Sequence, residues 1–166
     1  MNNIAILYGT SGGSVETVAK QLQDLLEGSA DLFNVLDVSL NEIKDYKYLI
    51  VGTSTTGIGD LQDDWEGFLP SFARIDFTGK KVAIFALGDS ASYSTSFAES
   101  MKVVYDEIHD KVEVVGQVTD EGYTYDDSTA VEDGMWLGLP LDEDNEYDLT
   151  EERLERWVEI LKEEFI

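Results

Sequence analysis

The sequence contains no cysteine. Disulfides, thiolate catalysis and cysteine-ligated zinc or iron–sulfur centres are thereby excluded. Histidine is nearly as scarce: His109 is the only one, and the helical spacing around it places it on a helix surface. Histidine-based triads and histidine-rich metal sites fall away with it. Basic residues are few, 11 lysines and arginines against 35 aspartates and glutamates, giving a formal charge of -24. Such a surface repels phosphate backbones, which argues against nucleic acid, and it disfavours an anionic membrane in the same way. It suits fast, salt-sensitive docking onto basic proteins; a solubility adaptation gives the same composition. No apolar run is long enough to span a membrane. Residues 4–7 enter a strand at once, without a charged and apolar leader, so the expected location is the cytoplasm. A length of 166 residues suits one domain across 1–166.

What is present is organised around residues 4–19. Ile4, Ala5, Ile6 and Leu7 form a short apolar run of the kind found in buried strands. A tight stretch of glycine and hydroxyl residues follows at 9–14. From Val15 the apolar residues take helical spacing, at Val18, Ala19, Leu22, Leu25 and Leu26. A strand turning sharply into a helix leaves the first N–H groups of the helix pointing at one spot. Gly12 and Gly13 allow close approach to the backbone, and Thr10, Ser11 and Ser14 add hydroxyl donors. The stretch has neither the Gly-Lys-Ser/Thr of a nucleoside-triphosphate loop nor the glycine spacing of the dinucleotide fingerprint. A monophosphate held by neutral donors fits it; a plain capped strand–helix turn is the other reading.

Further strands are expected at 33–38, 48–52, 82–88 and 112–115, with 41–46 as polar connection. Helices are expected to carry Leu61, Trp65, Phe68 and Leu69, ending by about 70–72, and then Phe97, Met101, Val104, Tyr105 and Ile108. Residues 117–140 are too polar and too long for an ordinary connection. They read as an insertion that splits the fifth strand, which resumes near 137–141. Asp148 with Glu151 has the form of a capping box, opening a last helix with Leu154, Trp157, Val158, Leu161 and Phe165 on one face. Alternating strands and helices imply a parallel sheet covered on both faces. Ligands of such sheets bind at the carboxyl ends of the strands, where the strand order reverses. Three small-residue loops, 9–14, 53–60 and 88–94, follow strands at that edge.

These residues resemble the flavodoxin family over essentially the whole chain. The resemblance is carried by Ile6-Leu7-Tyr8-Gly9-Thr10, by Gly59-Asp60-Leu61-Gln62-Asp63-Asp64-Trp65-Glu66-Gly67, by Gly88-Asp89 with Tyr93-Ser94, and by Leu141-Asp142-Glu143-Asp144-Asn145. The insertion in the fifth strand is the mark of the long-chain group. The resemblance implies a flavodoxin-like three-layer α/β sandwich, its five parallel strands in the order 2-1-3-4-5. It further implies noncovalent FMN and a low-potential one-electron carrier rather than an enzyme, working as a monomer. Its partners would be basic redox proteins, such as a ferredoxin/flavodoxin-NADP reductase, a photosystem or acceptor enzymes, docking at the acidic flavin edge.

By the same resemblance, Thr10, Ser11, Gly12, Gly13, Ser14 and Val15 hold the phosphate. Ser54, Thr55, Thr56, Gly57, Ile58, Gly59 and Asp60 line one side of the ring, with the Gly57-Ile58 peptide turning its carbonyl to a ring nitrogen. Leu87, Gly88 and Asp89 meet the pyrimidine edge and Tyr93 stacks on the outer face. Ser96, Phe97 and Asp144 complete the cofactor set, and no metal is expected. The charges of Asp60 and Asp89 near the ring imply a low second potential. Two positions depart from the family pattern. Val15 stands where a threonine is usual and offers only its N–H, and Thr56 stands where many long-chain members have tryptophan. They imply weaker flavin binding, or a ring packed on Thr56, Gly57 and Ile58. A reductase's electron-delivery module and a flavin-free binding or regulatory module remain as rivals. A response-regulator receiver is excluded, because Gly52-Thr53 stands where its phosphoacceptor aspartate belongs.

Overall fold

The computed structural model describes residues 2–165. Strand β1 (Ile4–Tyr8) is buried along its whole length, as an apolar run covered on both faces must be. It turns into helix α1 (Ser14–Leu25), which buries Val15, Val18, Ala19 and Leu22 on one face. Strand β2 (Ala30–Asn34) lies parallel to β1 on one side. A short helix α2 (Leu40–Ile43) then leads to strand β3 (Tyr48–Thr56), parallel to β1 on its other side. The two-residue strand β4 (Asp60–Leu61) folds back antiparallel on the end of β3. Helix α3 (Asp63–Phe72) and strand β5 (Lys81–Leu87) follow, β5 running parallel to β3. Helix α4 (Ser100–Ile108) precedes β6 (Glu113–Val115). Three short strands, β7 (Val118–Thr119), β8 (Val131–Glu132) and β9 (Met135–Trp136), make a separate antiparallel sheet. Strand β10 (Leu139–Leu141) and helix α5 (Thr150–Glu164) complete the chain.

The expected 2-1-3-4-5 order appears as β2-β1-β3-β5, with the fifth place shared by two half-strands. β6 pairs with Lys81–Ala83 of β5 and β10 with Phe85–Leu87, both parallel. Alternation along the strands divides the core. Ile4, Ile6, Tyr8, Ile50 and Phe85 face α1 and α5, together with Trp157 and Leu161. Ala5, Leu7, Leu49, Val51 and Ile84 face the other layer, with Trp65, Phe72, Met101 and Val104. Two of the three buried indoles are each pinned by one polar bond. Trp65 Nε1 donates to the Gly52 carbonyl at 2.8 Å and Trp157 Nε1 donates to the Gly116 carbonyl at 2.8 Å.

Several local expectations are corrected. The second strand occupies Ala30–Asn34 rather than 33–38. Asn34 Oδ1 accepts the Leu36 N–H and turns the chain out, leaving Leu36 67% exposed. The 41–46 connection contains α2, capped by Ser39, and it buries Ile43 and Tyr46. Leu61 belongs to β4, not to the helix after it, and Phe97 precedes α4. No capping box forms at Asp148. Residues Tyr147–Leu149 are a turn of 3₁₀ helix, the N-cap Leu149 has no side-chain bond, and the Thr150 hydroxyl donates to Glu143 instead. Phe165 lies past the last helical residue and stacks on Tyr48 at 4.5 Å between ring centroids.

Two glycines fit where no side chain can. A Cβ on Gly52 would enter the Phe85 ring, whereas one on Gly138 would strike the backbone carbonyl of Ile84. A ring can shift and a central-strand carbonyl cannot. Gly52→Ala is expected to lower stability by about 1–3 kcal/mol and Gly138→Ala by more, both read from urea unfolding midpoints at constant slope.

Candidate functional site

The bend after β1 is closed by one internal bond, from the Gly13 N–H to Thr10 Oγ1 at 2.9 Å. Gly13 is the N-cap of α1 at φ 94, a left-handed conformation that glycine takes without strain. No side chain caps this helix, so its first-turn N–H groups remain for an external acceptor. Nothing lies within 4 Å of a Cβ built on Gly12 or Gly13, so the backbone is bare to a ligand. Val15 is 2% exposed and its side chain belongs to the core, which leaves its N–H as its polar contribution.

The second loop is a hairpin. Thr55 pairs with Leu61 and Thr56 with Asp60, leaving residues 57–59 as the tip. Gly57 has φ 51 and Gly59 φ 79. Ile58 is 79% exposed at the apex. The Thr55 and Ser100 hydroxyls lie 2.8 Å apart, which ties the hairpin base to the start of α4. Gln62, directly after the hairpin, is 1% exposed. Its side-chain oxygen accepts the Trp65 N–H at 3.1 Å, and its amide nitrogen donates to Ser11 Oγ at 3.2 Å.

The third loop is held by acidic side chains bonded to neutral donors. Asp89 Oδ1 accepts from the Ala91 N–H, the Ser92 N–H at 3.0 Å and Asn145 Nδ2 at 2.8 Å. Asp142, fully buried, accepts from the Ser90 N–H and hydroxyl, and from the N–H and amide of Asn145. These bonds clip the loop after β5 to the segment after β10. The oxygens of Asp89, Asp142 and Asp144 lie within 4.8 Å of one another; the donors on Asp89 and Asp142 account for that grouping. The Ser92 N–H and the Asn145 amide hold the Asp89 carboxyl below the usual aspartate range. Partial burial, and the charges of Asp89 and Asp142, push Asp144 above it.

Residues of all three loops, the second through Ser54 and Thr55 alone, border an open cavity of about 250 Å³ at the carboxyl ends of β1, β3, β5 and β10. Its walls include Thr10, Ser11, Gly12, Ser14, Val15, Ser54, Thr55, Leu87, Gly88, Asp89, Tyr93 and Asp144, all expected from the sequence, and Glu143, which was not. No lysine or arginine lines it. The other expected residues lie around it. Gly13 shapes the bend from behind. Thr56, Gly59 and Asp60 line a neighbouring groove against α3 and α4, and Gly57 and Ile58 form the hairpin tip. Ser96 and Phe97 are buried, the Phe97 ring packing directly behind Gly88. Gln62, Ser90, Asp142 and Asn145 frame the loops and were missed as site residues, although Gln62, Asp142 and Asn145 fall inside the two acidic motifs.

A crevice at the carboxyl ends of a parallel sheet, walled by an uncapped helix start and neutral donors, defines a nucleotide-binding α/β protein. The chain matches the flavodoxin family over residues 6–157. It is 41% identical to flavodoxin 1 of Azotobacter vinelandii, over 100% of this chain and 99% of that protein. It is 40% identical to a flavodoxin of Nostoc sp., over 98% of this chain and 96% of the relative. In structure it resembles a Fusobacterium nucleatum flavodoxin bound to flavin mononucleotide, with a TM-score of 0.91, 31% identity, and coverage of 99% of both chains. The chain belongs to the flavodoxin family.

The two perturbed carboxylates bend stability in opposite directions with pH. Asp89, lowered in the fold, contributes stability above the pH at which an unfolded aspartate titrates, and this is lost as pH falls through its lowered value. Asp144, raised, is a liability at neutral pH that disappears as pH falls through its raised value. At pH 7, Asp89→Asn is expected to lower the melting temperature of the cofactor-free protein and Asp144→Asn to raise it slightly. Both differences should shrink in acid, as followed by circular dichroism.

Proposed function

We propose that this protein binds FMN noncovalently in the 250 Å³ crevice and carries electrons at low potential between redox proteins. The observation that carries the reading is the convergence of the three loops on that one crevice, with the helix start at one end and Tyr93 and Gly88 among its walls. FMN supplies electron exchange one electron at a time. The chain's own residues bind it, orient it and bias its charge. Thr10, Ser11, Gly12, Ser14 and Val15 offer hydroxyl and N–H donors to the phosphate, while Gly13, its N–H given to Thr10 Oγ1, shapes the bend around it. Ser54 and Thr55 border the ring. Leu87, Gly88 and Asp89 meet its pyrimidine edge, and Tyr93, 40% exposed, supplies a stacking face. Ser96 and Phe97 back the Gly88 peptide.

The inner wall falls to the hairpin tip. Thr56 stands where many long-chain members have tryptophan, and Gly57, Ile58, Gly59 and Asp60 follow it, with Ile58 79% exposed as the apolar side chain of the tip. Glycines at both ends of the tip would let the Gly57-Ile58 peptide turn its carbonyl toward a bound ring. Asp60, Asp89 and Asp144 would disfavour added negative charge on it. A flavin-free binding module would have no need of this set of unclaimed donors.

Flavodoxins serve as redox partners of other proteins. The partners proposed for this one are basic reductases and acceptor enzymes, met transiently at the acidic rim by a monomer in the cytoplasm. Among the described residues no helix is long and apolar enough to cross a membrane.

Titration of the cofactor-free protein with FMN is expected to give one site, read by quenching of flavin fluorescence. Gly57→Ala should narrow the gap between the two one-electron potentials in a potentiometric titration while the protein stays folded. With a charge of -24, the association rate with a basic redox protein should fall steeply between low and physiological salt, as measured by stopped flow. An unchanged rate would remove charge steering.

A further inference from the structure

We infer that Gln62 fixes the hydrogen-bond polarity of Ser11, forcing its hydroxyl to act as a donor to the phosphate. The inference rests on the FMN reading above and assigns a positioning role to a residue outside the cavity wall. A backbone N–H can only donate, so the Trp65 N–H, 3.1 Å away, requires the oxygen end of the Gln62 amide to face it. The nitrogen end is thereby turned to Ser11 Oγ, 3.2 Å away. An amide nitrogen can only donate as well, so Ser11 must accept from it. A hydroxyl carries a single proton. With one lone pair taken by Gln62, that proton is directed elsewhere, and Ser11 lines the cavity.

The chain of polarity begins at a helix backbone and ends at the ligand. Trp65 orients Gln62, and Gln62 orients Ser11. Burial makes the setting firm, since Gln62 is 1% exposed and water does not compete for its two ends. Gly9 leaves room for the arrangement: a Cβ there would collide with the Gln62 side-chain oxygen. The setting matters because no lysine or arginine lines this cavity. Every neutral donor aimed at the anion then counts, and a hydroxyl turned the wrong way would present a lone pair to it.

The experiment measures affinity for FMN and for riboflavin, which has the same ring system and no phosphate. Wild type, Ser11→Ala, Gln62→Met, Gln62→Glu and the Ser11→Ala, Gln62→Met double variant are compared. Gln62→Met and Ser11→Ala should each weaken FMN binding by about tenfold to a hundredfold, the range for one hydrogen bond to a charged group. Riboflavin affinity should stay at the wild-type value. The double variant should bind FMN no more weakly than Ser11→Ala alone. Gln62→Glu keeps the acceptor for the Trp65 N–H and therefore the helix cap, but reverses the Ser11 bond. It should lose FMN at least as severely and again spare riboflavin, and it serves if the methionine variant does not fold. Equal loss of both flavins in the Gln62 variants, multiplying losses in the double variant, or full FMN affinity in Ser11→Ala would each overturn the role given to Gln62. Wild-type protein that binds neither flavin would overturn the reading of the crevice itself, a result distinct from those three.

Discussion

One carbonyl holds the working edge of this protein together. Gly52 O, midway along β3, accepts the Gly9 N–H at 3.1 Å and the Trp65 indole N–H at 2.8 Å. The first bond registers the exit of β1 against β3 and so sets where the bend before α1 begins. The second seats α3 against the same strand, with Trp65 fully buried beneath it. Gly52 itself has no side chain because the Phe85 ring occupies that space. Two of the three cofactor loops therefore take their positions from a single acceptor in the dry interior, where an unmade bond is costly. The third loop is set independently, by Asp142 reaching across to Ser90.

This division explains the electrostatic character of the crevice. The end beside α1 is built from backbone and hydroxyl donors. The end beside β5 and β10 is built from carboxylates whose donors are peptide N–H groups, the Ser90 hydroxyl and the Asn145 amide. Nothing in it depends on a mobile cation, so the site keeps its polarity without drawing on the chain's 11 basic residues. Four ion pairs among the described residues, Lys20–Glu16, Lys102–Asp106, Arg156–Glu152 and Lys162–Glu159, run along single helices. Surface pairs of this kind contribute little to stability.

Much of the fold was legible because burial writes itself into the sequence. The apolar runs of β1, β3 and β5 and the one-sided spacing of α1 and α5 leave few other arrangements. The strand order followed from alternation of elements together with the family resemblance, and the split fifth strand from the polarity of residues 117–140. The failures have a common physical origin. The 55–61 hairpin is held by backbone pairing between polar residues and two glycines, which leaves no periodic signal. The Asn34 turn and the Thr150–Glu143 bond are side-chain bonds that displaced a strand boundary and a capping box of equally plausible composition. Residues that line the crevice were readable from loop chemistry. Gln62 and Asn145 lay inside the quoted motifs but, like Ser90, stand behind the crevice wall, where loop composition does not single them out. Trp136 falls in the segment that reads as a polar insertion, yet it is fully buried, and its indole N–H lacks a partner among the described residues. It is held there by Phe97, Tyr123 and Tyr125.

The broken edge strand gives the sheet two margins with different reach. β6 and β10 each lie on β5 through three residue pairs, while β5 is secured to β3 along its whole length. Either half can fray without disturbing the centre. Fraying of β6 slackens Gly116 directly after it, whose carbonyl takes the Trp157 indole N–H. Fraying of β10 slackens Asp142 directly after it, and with it the Ser90 and Asn145 clasp on the loop that bears Tyr93. Loosening at one end of this margin thus reaches the seat of α5, and at the other end the rim of the crevice.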